Sequence, residues 1–137
     1  MASYVKPSPL PPINRYITTN SETGTALLDA TISNTASWTS AGVANFFLGY
    51  CTSANPVSFK ADADIKTYSK YLAEPPGLVV PNGTGLRLVD MMPGELSPMH
   101  RTTSLDYGVV LEGEVELILD GGEKRELQQY GVVKDVN

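Results

Sequence analysis

Cysteine and histidine are nearly missing from this sequence, with one of each in 137 residues. The lone Cys51 can close no disulfide within the chain, which suits a reducing compartment. No histidine or lysine lies near it in sequence to activate it, so it reads as a buried core thiol and not as a nucleophile. Excess positive charge is missing as well: 10 Lys and Arg face 15 Asp and Glu, a net charge of -5, which argues against nucleic acid as a partner. No run approaches the ~20 apolar residues that cross a bilayer, and the start, MASYVKPSPLPPINRY, lacks the apolar stretch of a signal peptide. No membrane partner and a cytoplasmic location are the expectations. Repeats, low-complexity tracts and charge runs are absent too, so residues 1–137 are expected to form a single domain.

Proline crowds the start, where Pro7, Pro9, Pro11 and Pro12 disfavour helix and deny backbone donors. Residues 1–25 are therefore expected to be an extended arm followed by the first strands. Arg15 to Thr19 and Ala26 to Ser33 are β-rich around the turn-like Asn20 to Gly24, the pattern of a hairpin. Asn34 to Gly42 is small and polar apart from Trp38 and reads as a connection with one anchoring aromatic. Val43 to Thr52 (VANFFLGYCT) is the longest apolar run and fits a buried strand. Its Phe46, Phe47 and Tyr50 belong to a core by default, and Phe47 is also a candidate for a ligand wall.

Ala61 to Leu72 is the one good helical stretch, with Asp62 or Asp64 placed to cap its start and Ile65, Tyr68 and Leu72 on one face. Pro75-Pro76 ends it. Asn82-Gly83-Thr84 matches a glycosylation sequon, but without a secretory signal it is read as a turn. From Leu86 the apolar period becomes two. Leu86 to Met92, Tyr107 to Glu112 and Glu114 to Asp120 read as strands, with Glu123 to Gln128 as a polar outer strand after the Gly121-Gly122 turn.

Candidate chemistry centres on His100, within PGELSPMHRTTSLDYGVVLEGE. A histidine with Asp90, Glu95, Arg101, Asp106, Tyr107 and Glu112 around it in sequence fits a metal ligand, a general base or a hydrogen-bonded structural residue. A metal site with open positions normally takes three or more protein ligands, and only one imidazole is available. As a base, His100 would exchange protons near neutral pH, oriented by Asp106 or Glu95. Arg101 is a candidate for holding an acidic or phenolate substrate, and Tyr107 reads either as an acid catalyst or as a core aromatic.

The segment resembles the first motif of the cupin superfamily, G-x5-H-x-H-x(3,4)-E-x6-G. Here Gly94, His100, Thr102, Asp106 and Gly113 stand at its marked positions, with Thr102 in place of the second histidine and Asp106 in place of the glutamate. The wider wording SPMHRTTSLDYGVVLEGEVELILD is similar to small fungal cupin-domain oxidoreductases of polyketide clusters that lead to salicylaldehyde-type products. The likeness extends through PLPPINRYITT, FFLGYCTSANPVSF and DIKTYSKYLAEPPGLV, and so covers most of the chain.

The resemblance implies a mainly β fold: a cupin-like jelly-roll β-barrel with one short helix, incomplete at the C-terminus, whose core motif strands span residues 86–128. It implies an oxidoreductase acting on an aromatic polyketide intermediate, with His100, Asp106 and Tyr107 catalytic and Met99, Arg101, Thr102 and Phe47 against the substrate. A divalent iron or zinc on His100 and Asp106 is the implied cofactor. A barrel without its last strands presents unpaired backbone edges, so a homodimer that covers them is expected. The family's second motif, G-x5-P-x-G-x2-H-x3-N, has no counterpart in the closing LQQYGVVKDVN, so a truncated or spliced form is expected. Alternatives are a metal-free dehydratase or decarboxylase and a non-catalytic binding or scaffold protein.

Overall fold

The apolar run from Val43 to Thr52 forms the centre of the largest sheet. In the computed structural model, which describes residues 10–135, the order is β1 (Thr18–Asn20), β2 (Ala26–Leu28), β3 (Trp38–Ala41), β4 (Ala44–Cys51), α1 (Ala63–Ala73), β5 (Gly85–Met91), β6 (Asp106–Val109), β7 (Val115–Ile118), β8 (Lys124–Leu127) and β9 (Val132–Asp135). The chain is thus mainly β with one short α-helix. Its strands pair antiparallel as β1-β2, β3-β4-β5, β6-β9 and β7-β8, and among the described residues none of these sheets closes into a barrel. Contacts group the chain into two compact units, Met1–Leu96 and Ser97–Asn137. Of the expected proline-rich arm, residues 1–9 lie outside the described residues.

In the first unit, β4 lies between β3 and β5, with Phe47 opposite both Trp38 and Leu88. The segment read as a connection is therefore a strand: Gly42, at φ +65°, makes a tight turn that folds Trp38–Ala41 back on β4. Its small polar residues hid an edge strand whose Trp38 ring packs 5.8 Å from Phe47. The expected hairpin is present as β1-β2, shorter than its β-rich flanks.

Helix α1 presents Ile65 and Tyr68 to a core shared with Ile32 and Cys51, with Leu72 packed against its edge, as the 3–4 spacing predicts. Its start departs from expectation, because neither aspartate caps it. Asp62 sits at the N-cap at φ +55° with no side-chain cap hydrogen bond, and its carboxylate instead accepts from Thr19 Oγ1 at 2.5 Å. Asp64 lies in the first turn and accepts from Tyr50 Oη at 2.7 Å. Both carboxylates tie the helix to strands, and the N-cap side chain makes no hydrogen bond to the helix's own first turn.

A bulge between Leu48 and Tyr50 interrupts the β4-β5 register. Tyr68 Oη lies 2.6 Å from the Leu48 carbonyl and 2.7 Å from that of Gly49, so its one proton is shared between them. Arg15 completes the arrangement. Its Nη1 donates to Tyr68 Oη, its Nε and Nη2 donate to the Ser33 carbonyl at 3.1 and 2.9 Å, and its guanidinium lies 5.3 Å from the centroids of both Phe47 and Tyr68.

Beyond the helix, Thr52 and Thr84 are joined by a backbone bond (Thr52 N to Thr84 O, 2.9 Å) and by their hydroxyls at 2.9 Å. The expected turn at Asn82-Gly83 brings the backbone against Thr52 here. In the second unit β7 and β8 pair across the Gly121-Gly122 turn, as expected. Nothing in the local sequence pattern marks strand β9. Only four residues long and ending in Lys134 and Asp135, it pairs with β6 (Val109 opposite Val132), and a local pattern does not reveal a partner so far back in the chain.

A Cβ on Gly83 would lie 1.9 Å from the Thr52 carbonyl oxygen, inside any tolerable contact, whereas one on Gly121 meets nothing. Gly83→Ala is therefore expected to cost about 3 kcal/mol in urea unfolding, and Gly121→Ala less than about 0.5 kcal/mol. Equal effects would contradict the close approach.

Candidate functional site

The loop that carries His100 leaves β5 through Pro93-Gly94, with Gly94 at φ +78°, and runs without regular structure to β6. His100 is exposed, and its Nδ1 lies 2.8 Å from the Pro98 carbonyl. A carbonyl only accepts, so Nδ1 carries the hydrogen and Nε2 is the acceptor of the neutral ring. The group that orients His100 is thus the Pro98 backbone, not Asp106.

Asp106 opens β6 and is held by its own turn: Oδ1 accepts from Ser104 Oγ at 2.7 Å and Oδ2 from Thr102 Oγ1 at 3.2 Å. Thr102 also accepts from the Ser104 amide at 3.3 Å, so Thr102, Ser104 and Asp106 form one polar knot. Arg101 is exposed, with Asp120 at 3.9 Å as a loose companion. Tyr107 and Met99 are exposed as well. Phe47 belongs to the first unit, where it is buried beneath Arg15. The knot therefore brings Thr102 and Asp106 together, while His100, Arg101, Met99 and Tyr107 share the segment without a hydrogen bond to it.

A resident iron or zinc needs three or more donors converging on one point. Among the described residues no three His, Cys, Asp or Glu side chains cluster in that way. Both oxygens of Asp106 hold hydroxyl donors, and Thr102 is occupied in the same knot. These residues do not fit such a centre.

Two features of the first unit depend on the fold and not on local pattern. Asp90 on β5, opposite Asn45, is 5% exposed, and its Oδ2 meets no hydrogen-bond partner among the described residues, a costly state for a buried carboxylate. A groove of about 680 Å³ is lined by Arg15, Tyr16, Phe47, Phe59, Leu86 and Leu88, among others. The sequence signal for Arg15 was faint, a single cation ahead of a β-rich segment. Burial pushes the Tyr68 hydroxyl above its ordinary range against the opposing pull of Arg15. It does the same to Tyr50, helped by Asp64, and to Cys51, partly offset by Arg87.

No protein-family model matches the chain. It is 44% identical over 120 residues to phomopsin biosynthesis cluster protein D of Diaporthe leptostromiformis, an alignment that covers 87% of this chain and 64% of that protein's length. Oryzines biosynthesis cluster protein J of Aspergillus oryzae is 40% identical over 124 residues, 89% of this chain and 69% of that one. The cupin-domain-containing oxidoreductase virC of Hypocrea virens is 49% identical over 83 residues, 61% of this chain and 41% of that one. Among the described residues no helix is long and apolar enough to cross a membrane.

The raised pKa values limit stability on the alkaline side. Below the ordinary 9.0 of a thiol and 10.0 of a phenol, Cys51 and Tyr68 keep their protons in both folded and unfolded chains. Above those values the unfolded chain releases them first, so stability falls as pH rises toward the raised folded values. The melting temperature should hold to about pH 8.5 and drop beyond, and Cys51→Ala should move the onset toward about pH 10. A melting temperature that is flat through about pH 11 would contradict this.

Proposed function

The chain belongs to the family of cupin-like fungal biosynthesis-cluster proteins that includes oryzines biosynthesis cluster protein J, and we propose that it is a tailoring enzyme of fungal secondary metabolism. Its reaction is an oxidoreductive step on an aromatic polyketide intermediate, a reading supported by relatives such as virC that are named as cupin-domain-containing oxidoreductases. We read the two units as parts of one cupin-like jelly-roll domain, acting in the cytosol as a homodimer. The dimer draws support from β6-β9 and β7-β8, two-stranded sheets whose outer backbone edges have no further strand among the described residues.

The observation that carries a catalytic role is the hydrogen bond from His100 Nδ1 to Pro98, which fixes the tautomer and leaves Nε2 as an exposed acceptor. In this reading Nε2 only moves the proton, taking it from an acidic C–H or O–H of the substrate and returning it, while the electron pair of the oxidoreductive step passes to or from a diffusible redox co-substrate. Tyr107, exposed on the first strand after the loop, supplies a hydroxyl donor. Arg101 offers an exposed charge to an acidic or phenolate group, with Met99 and Thr102 on the same loop. A second reading, a metal-free dehydratase- or decarboxylase-type enzyme, is favoured by the donor set itself, which supports proton transfer at His100 and forms no three-ligand cluster among the described residues.

Deletion of the gene, rescue with this chain and with its His100→Ala form, and analysis of accumulated metabolites test the proposal. Rescue by the unaltered chain and turnover lowered about 100-fold or more in the variant are expected. An unchanged metabolite profile with His100→Ala would leave a binding or scaffold role.

A further inference from the structure

The groove of the first unit has no part in the chemistry assigned to His100. Its volume, about 680 Å³, lies in the range of small-molecule sites, roughly 300–1,000 Å³. Three of its apolar lining residues stand largely in water: Tyr16 is 67% exposed, Phe59 72% and Leu86 61%. Two aromatic rings and a leucine in that state lose unfavourable hydration when a flat apolar ligand covers them.

Charge is the second observation. Arg15 is the one Lys or Arg among the residues that line the groove, it is half-buried, and it has no ion-pair partner among the described residues. Its contacts to Ser33, Tyr68 and Leu48 occupy four of the five guanidinium N–H groups, leaving one on Nη2. Asp62 and Asp64 also line the groove, but each carboxylate already holds a hydroxyl, from Thr19 and Tyr50, at the start of α1. The lining thus carries two acids against one cation, and Arg15 is the single place on it that can hold an anionic group.

We propose that this groove is a binding site for a small aromatic carboxylate, its ring against Phe59, Tyr16 and Leu86 and its anionic group on Arg15. Binding itself does not depend on the tailoring reading; only the identification of the ligand as that enzyme's substrate rests on it.

Titration calorimetry of the full chain with benzoate, benzyl alcohol and benzylamine tests the site. Trp38 emission serves as a second readout, since that ring packs on Phe47 in the groove wall. Saturable benzoate binding, about tenfold tighter than benzyl alcohol and tighter again than benzylamine, is the expected result. Leu86→Glu, which adds a carboxylate at an exposed wall position and spares the Arg15 contacts, should weaken benzoate about fivefold without moving the melting temperature. Equal affinity for the three probes, preference for benzylamine, no saturation, or indifference to Leu86→Glu would each overturn the proposal. His100→Ala is expected to retain benzoate binding whatever its effect on metabolites, so failure of this site and failure of the tailoring reading are separable.

Discussion

The guanidinium of Arg15 is the constraint on which the first unit depends. It reaches three parts of the chain: the Ser33 carbonyl after β2, the β4 bulge at Leu48, and Tyr68 on α1. Tyr68 in turn donates its hydroxyl hydrogen bond to the Leu48 and Gly49 carbonyls at the bulge in the β4-β5 register. A cation held between the Phe47 and Tyr68 rings is partly desolvated, and its hydrogen bonds are strengthened for that reason. The same contacts set one wall of the groove, so the element that closes the core also shapes the surface available to a ligand.

Much of the fold was legible in local pattern. The apolar run before Asn55 reads as a buried strand because eight of its residues, Ala44–Cys51, form β4 with both faces largely covered. The spacing of Ile65, Tyr68 and Leu72 reads as a helix face because burial of that stripe is what holds α1. What escaped depends on partners distant in sequence. Arg15 and Tyr68 are 53 residues apart, and no window reports that one will serve the other. Asp62 stands where a cap belongs, yet Thr19 recruits its carboxylate, and an edge strand as polar as Trp38–Ala41 shows no alternation until β4 is placed beside it.

The candidate site divides in the same manner. The motif spacing drew attention to His100 and Asp106, and the fold answers how each is held: His100 by the Pro98 carbonyl, Asp106 by Ser104 and Thr102. Spacing alone could not tell that these two side chains serve separate networks. Nor could it tell that Asp90 is buried, with an oxygen that meets no hydrogen-bond partner among the described residues, since that depends on the sheet position of β5 opposite Asn45. Family membership accounts for the cupin-like wording of the segment.

A double-mutant cycle between Arg15→Met and Tyr68→Phe, read by urea unfolding, tests the organising role of this contact most directly. Because the two side chains share one network with the bulge carbonyls, the account predicts a coupling free energy of about 1–3 kcal/mol. Costs that add within about 0.5 kcal/mol would mean that Arg15 and Tyr68 act independently, and would contradict it.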